Sequence, residues 1–246
     1  MLRSRTSLKG VVGVYLLICA AVFLVTRLEH APVVGRYVHL AVAAIFLLTA
    51  VQLTRRDPAH YGVALGGLLE PAHDDRPVGP LGLFDLARAL RAAAPAAVRE
   101  LGVAAVVAAV VVPLSAVGYL WWTEPTRDFS LTLPTSLASF VVAQLLVVAL
   151  PEEAFFRGYL QTALSDLEGR RIGFLGVELA PAAWSMQAAL FAALHFAVEP
   201  HPARLAVFFP ALLFGWVRAW RGGIGAAMAL HAMSNLYSEI LARSWL

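Results

Sequence analysis

Three short groups in an otherwise oily sequence carry residue types able to move protons and to hold a developing negative charge. The first is PEEAFFRGYL, Pro151 to Leu160, which follows the run SFVVAQLLVVAL and supplies Glu152, Glu153 and Arg157. The second is AALFAALHFAV, with Phe191 and His195, and the third is ALHAMSNLYSEI, with His231 and Asn235. At about 100° per residue, Glu153 and Arg157 share a helical face and can pair, while Glu152 points about 100° away toward a more distant partner. His231 and Asn235, also four apart, share a face of their own. A carboxylate beside a histidine can hold a water and remove its proton, and imidazole and amide N–H donors placed opposite can stabilise an oxyanion. Hydrolysis of a carbonyl compound fits this set. Taken singly, each group has a plainer use: a solvated helix end, a core histidine, an interhelical hydrogen-bonding pair.

The elements that must position these groups are membrane helices. The chain has 246 residues, 60% hydrophobic and 14% charged, with a mean hydropathy of +0.73, well beyond the roughly 45–50% apolar share of a soluble domain. Apolar stretches able to cross or nearly cross a bilayer of about 30 Å recur at 10–25, 38–53, 101–122, 137–150, 180–198, 205–217 and 224–241. The first follows Arg3, Arg5 and Lys9 but lacks a convincing small-residue cleavage site, which predicts a retained helix. The fold class expected is all-α, a polytopic transmembrane bundle of about seven to eight helices with an amphipathic interfacial helix. That last element is LGLFDLARALRAAAPAAVRE, where Leu83, Leu86, Ala87, Leu90 and Ala94 recur at helical spacing. The turn-rich EPAHDDRPVGP, Glu70 to Pro80, reads as a connection between halves. The expected organisation is 1–100, two spans with a cytoplasmic loop and the amphipathic helix, followed by 101–246, a catalytic transmembrane core.

The isoelectric point near 9.3 does not indicate nucleic acid, because in a membrane protein basic loops set orientation. With the N-terminus in the cytoplasm and seven alternating spans, the cytoplasmic side collects 14 basic residues. The outer side keeps five, Arg27, Arg36, Arg127, Arg204 and Arg243. This predicts a multi-pass protein of the cell (inner) membrane with its N-terminus inside. The single cysteine, Cys19, excludes an intrachain disulfide. Only Lys9 is lysine among 19 basic residues, and together with heavy Ala, Val and Leu usage this suggests a bacterium with a GC-rich genome.

Charges inside a membrane cost roughly 2.5–3.5 kcal/mol each at a helix centre, so they persist where they pair or work. At 1.5 Å per residue, Glu152 lies about 18 Å from a cytoplasmic helix end near Leu164, and His195 about 22 Å from the same side. His231 and Asn235 reach about 10 and 16 Å. Three helices can therefore bring a carboxylate, two imidazoles and an amide to overlapping depths, which predicts a shared polar cavity.

At these residues the sequence resembles the CPBP intramembrane proteases, which include the eukaryotic CAAX prenyl endopeptidases and bacterial relatives also called Abi proteins. The family motifs EExxxR, FxxxH and HxxxN/D occur here in order as EEAFFR (Glu152, Glu153, Arg157), FAALH (Phe191, His195) and HAMSN (His231, Asn235). The resemblance spans roughly 139–240 and extends to the myxosortase-like branch, thought to remove C-terminal sorting tails from surface proteins. It implies a glutamate-dependent intramembrane endopeptidase acting near the membrane-associated C-terminus of an anchored protein or peptide. In that reading Glu152 activates water with help from His195, while His231 and Asn235 hold the oxyanion. Glu153 and Arg157 orient the site, with Arg157 also placed to meet a substrate carboxylate. No cofactor is expected. The nearest alternative is a zinc enzyme using Glu152, His195 and His231, a legitimate ligand set that lacks HExxH spacing. A transporter with a proton-relay glutamate, or a non-enzymatic immunity scaffold, is the alternative from another class, although no internal repeat is visible.

Overall fold

In hydrocarbon every backbone N–H and C=O must be satisfied within its own segment, so the apolar runs have one economical solution, the helix. The computed structural model describes residues 7–65 and 83–245, and there the runs form seven helices. They are α1 (Leu8–Thr26), α2 (Val38–Thr54), α3 (Leu83–Thr123), α4 (Leu137–Leu167), α5 (Pro181–Val198), α6 (Phe208–Arg221) and α7 (Gly225–Trp245). The connection Glu70 to Pro80 lies outside the described residues. The protein is a helical membrane bundle: six of the described helices, all but α7, are long and apolar enough to cross a bilayer. The expectation counted α7 as a seventh such span. It has 21 residues, enough length, but His231, Asn235, Glu239 and Arg243 make it more polar.

Two further departures from the sequence reading have plain causes. The amphipathic segment and the third apolar run are one helix, α3, 41 residues long, and Pro95 and Pro113 lie inside it. A small hairpin also joins α4 to α5: β1 (Ile172–Phe174) pairs antiparallel with β2 (Val177–Leu179), with Phe174 opposite Val177. Its two turn residues, Leu175 and Gly176, both have positive φ, as a tight two-residue hairpin turn requires.

Helix α4 is not uniformly α-helical. Wider π turns occupy Gln144–Ala149 and Ala154–Leu160, on either side of a short α-helical piece, Leu150–Glu153. Pro151 explains the first, since it has no N–H to donate and its ring crowds the preceding turn. A widened turn relieves that crowding and shifts the phase of every side chain that follows.

Helices α1 and α2 pack directly on this irregular segment. Phe46 of α2 meets Phe155 and Phe156 of α4 at centroid distances of 5.5 and 5.7 Å, and the Tyr15 hydroxyl of α1 donates to the Leu190 carbonyl of α5 at 2.8 Å. Val11, Tyr15, Ile18 and Phe46 share one buried cluster with Phe155, Phe156, Leu160 and Phe191. A second cluster joins α3, α6 and α7 through small residues, Ala104, Ala108, Ala226 and Ala227 among them, which allow the close helix approach that packing in lipid depends on. The chain after α2 closes over α4 at Gly158, where any Cβ would come within 2.5 Å of a Val63 methyl.

Candidate active site

The two adjacent glutamates of α4 occupy different environments. Glu153 and Arg157 form the predicted pair one helical turn apart, at 2.9 Å, and both side chains are wholly inaccessible. Glu153 also meets Nδ1 of His231 on α7 at 2.8 Å. An ionised carboxylate only accepts, so this nitrogen carries the hydrogen. The guanidinium lies 4.5 Å from the Phe191 ring centre and 5.3 Å from that of Phe214, within cation–π range of both. Phe214 in turn stacks on His231 at 5.0 Å. Arg157 further approaches the Ala211 carbonyl of α6 at 3.5 Å, a carbonyl that also accepts from Gln187 at 3.2 Å. Every side of Arg157 is thus occupied by protein. It is not presented to a substrate carboxylate, which corrects one role implied by the resemblance, and it is not a loop charge that orients the chain.

Glu152 points elsewhere, as its helical phase predicts. Its side chain retains 16% exposure and, with His195 of α5, lines a cavity of about 270 Å³. Val42 and Phe46 of α2, Phe156 of α4 and Leu194 of α5 form apolar walls to the same cavity. His195 Nδ1 lies 3.0 Å from the carbonyl of Phe191, one turn earlier. A carbonyl only accepts, so Nδ1–H is the donor and Nε2 is left bare in the neutral ring. On its other side Glu152 Oε2 stands 3.8 Å from Nε2 of His231, about 1 Å beyond a direct hydrogen bond. His231 therefore lies between the two carboxylates, bonded to Glu153 and facing Glu152.

Asn235 takes a different place from the one its motif suggests. It shares the His231 face of α7, but its amide donates to Oε1 of Gln144 on α4 at 2.8 Å. Neither Asn235 nor His231 belongs to the cavity wall. The structure thus brings Glu152, Glu153, Arg157, Phe191 and His231 into one contact group and puts Glu152 and His195 on one cavity. Asn235 is held beside this group by a residue the sequence reading passed over. Gln144 was detectable, as the one strongly polar side chain in SFVVAQLLVVAL. Phe214 carries no such signal, being one apolar residue in an apolar helix. Gln161 and Gln187, both buried, donate to carbonyls of α6 at Gly215 and Ala211 and extend the polar network behind Arg157.

The zinc alternative needs Glu152, His195 and His231 to converge on one point. Both imidazoles keep a bare Nε2, the form a metal takes, yet among the described residues no three His, Cys, Asp or Glu side chains gather closely enough to hold an ion. The residues as arranged do not make a ligand set.

A polytopic helical membrane protein with a carboxylate and histidines converging in its interior is the class that fold and site define. Residues 134–237 match the family model described as type II CAAX prenyl endopeptidase Rce1-like. The match covers 104 of the 246 residues and likens that segment to a family of membrane-embedded proteases. No curated protein and no solved structure matches the chain.

Proposed function

We propose that the protein is an intramembrane endopeptidase that hydrolyses a peptide bond near the membrane-associated C-terminal region of a protein or peptide substrate, through a water activated by Glu152 and His195. The observation that carries this reading is the division of labour between the paired carboxylates. Glu153 is committed to Arg157 and His231, whereas Glu152 is uncommitted and shares a cavity with a histidine whose Nε2 is bare. Both side chains offer a proton-accepting atom, which is what activation of a water requires.

In the proposed sequence the water oxygen attacks the scissile carbonyl carbon as its proton passes to Glu152. The C–N bond of the resulting tetrahedral intermediate then breaks, and the proton on Glu152 goes to the departing amine. His231 and Asn235 are proposed to hold the oxyanion. Because His231 gives its Nδ1 hydrogen to Glu153, donation from Nε2 requires a second ring hydrogen. Asn235 keeps a second amide hydrogen beyond the one given to Gln144. Glu153, Arg157 and Phe191 position His231 and His195 rather than touch substrate. We place the protein in the cell membrane with its N-terminus in the cytoplasm, on the excess of basic residues at that side.

The test compares membrane-protein C-termini in cells carrying the wild-type chain and in cells carrying Glu152→Gln. The expected result is a defined set of C-terminal fragments lost in the variant, with the protein itself present at normal level. Identical C-termini in the two strains overturn the proposal.

A further inference from the structure

The seven helices have two ends, and side-chain contacts identify which segments share each. At one end Arg221 of α6 pairs with Glu100 of α3 at 2.8 Å. There too Arg218 reaches Thr162 of α4 at 2.7 Å, and His60, just after α2, meets Asp166 of α4 at 2.9 Å. This end gathers the close of α2, α4 and α6 and the start of α3 and α7. At the other end Arg27, just past α1, donates to the Val198 carbonyl that closes α5, at 3.0 Å. The Glu152–His195 cavity belongs to this second end. Its rim is made by Thr26 and Glu29 after α1, His39 at the start of α2, and Glu199 and Arg204 after α5. His195 is three residues, about 4–5 Å, from the rim-side end of α5.

Among the described residues the basic side chains lie mostly at the opposite end: ten there, with Arg157 left out because it is buried in the core, against five at the cavity end. Short loops rich in Lys and Arg remain in the cytoplasm. Arg88 and Arg91, on the amphipathic start of α3, are also suited to the anionic headgroups of the cytoplasmic leaflet. The rim, by contrast, balances two carboxylates, Glu29 and Glu199, against one guanidinium, Arg204, which is tied to Glu199. Cavity and basic surface face opposite sides of the bilayer.

We propose that the Glu152–His195 cavity opens on the extracytoplasmic face of the membrane, and that its substrate is a polypeptide segment held at the outer surface of the bilayer by an anchored protein. The substrate half of this inference rests on the endopeptidase reading; the sidedness rests only on where the rim and the basic residues lie. The apolar walls formed by Val42, Phe46, Phe156 and Leu194 suit an unfolded, apolar stretch next to a membrane anchor, and the 270 Å³ volume excludes a folded domain.

The test uses the full chain in intact cells, with Cys19 replaced by alanine and single cysteines introduced as Glu29→Cys, His39→Cys and, at the other end, Arg170→Cys. A membrane-impermeant maleimide should label the first two in intact cells and the third only after permeabilisation. At the cavity floor, Glu152→Cys, with His195→Cys as a second position, should react with a small impermeant methanethiosulfonate added outside. Labelling of Arg170→Cys from outside, rim cysteines that react only after permeabilisation, or floor cysteines unreactive from outside each overturn the inference. If C-termini are instead unchanged by Glu152→Gln while the labelling pattern holds, the protease reading fails and the sidedness stands.

Discussion

Glu152 and Glu153 are neighbours in sequence, yet one faces a cavity and the other is sealed. Around Glu153 the protein has assembled a closed charge group in which Arg157, His231, Phe191 and Phe214 occupy every direction. Around Glu152 it has supplied a cavity, a histidine and apolar walls, with the nearest imidazole nitrogen of His231 at 3.8 Å. The lesson is that a direct ion pair and complete burial make one carboxylate structural, while access to a cavity leaves its neighbour free to react. Removing one member of a buried pair costs about 3–5 kcal/mol because the other is left uncompensated; replacing Glu152, which keeps 16% exposure and meets no cation within direct hydrogen-bonding distance, leaves no such charge behind.

The two groups should therefore respond in opposite ways to substitution. The largest expected effect is on chemistry: Glu152→Gln should lower cleavage by about 10²–10⁴-fold, the usual contribution of a general base, with the thermal midpoint in detergent nearly unchanged. His195→Ala should fall in the same range, and a variant of either residue that cleaves normally removes the proposed mechanism. Next comes Arg157→Ala, expected to cost about 3–5 kcal/mol of stability and to reduce the yield of monodisperse protein on size-exclusion chromatography. Normal yield and midpoint there would show that Glu153 has other means of neutralisation. Gly158→Ala, which drives a Cβ against Val63, should cost about 1–3 kcal/mol as overpacking, read from the same melting curves. The smallest effect belongs to Gln144→Ala. Loss of one neutral hydrogen bond, about 1 kcal/mol, should lower cleavage about fivefold while leaving the fold intact. A loss there as large as that at His195 would make Gln144 a direct participant.

Much of this arrangement was legible in the amino-acid order because its causes are local. The i,i+4 spacing of Glu153 and Arg157 dictates a pair on any helix, and the apolar residues through Leu164 required α4 to continue beyond its charges, which it does to Leu167. The 100° offset likewise separated Glu152 from its neighbour. The Gln144–Asn235 bond was not legible, because it joins residues 91 apart and its register depends on two π turns that no periodicity announces. The enclosure of Arg157 was hidden for a related reason: Phe214 and the Ala211 carbonyl belong to α6, and nothing in an apolar helix declares which ring will turn inward.

Composition and spacing alone established a bundle of membrane helices, the three polar groups within it and the face on which each stands, since these follow from hydrophobicity and the 3.6-residue turn. Which carboxylate would be sealed and which left open, and at which end of the bundle the cavity lies, came only from packing. Those outcomes depend on contacts between helices far apart in the chain, where a shift of a single turn exchanges one partner for another.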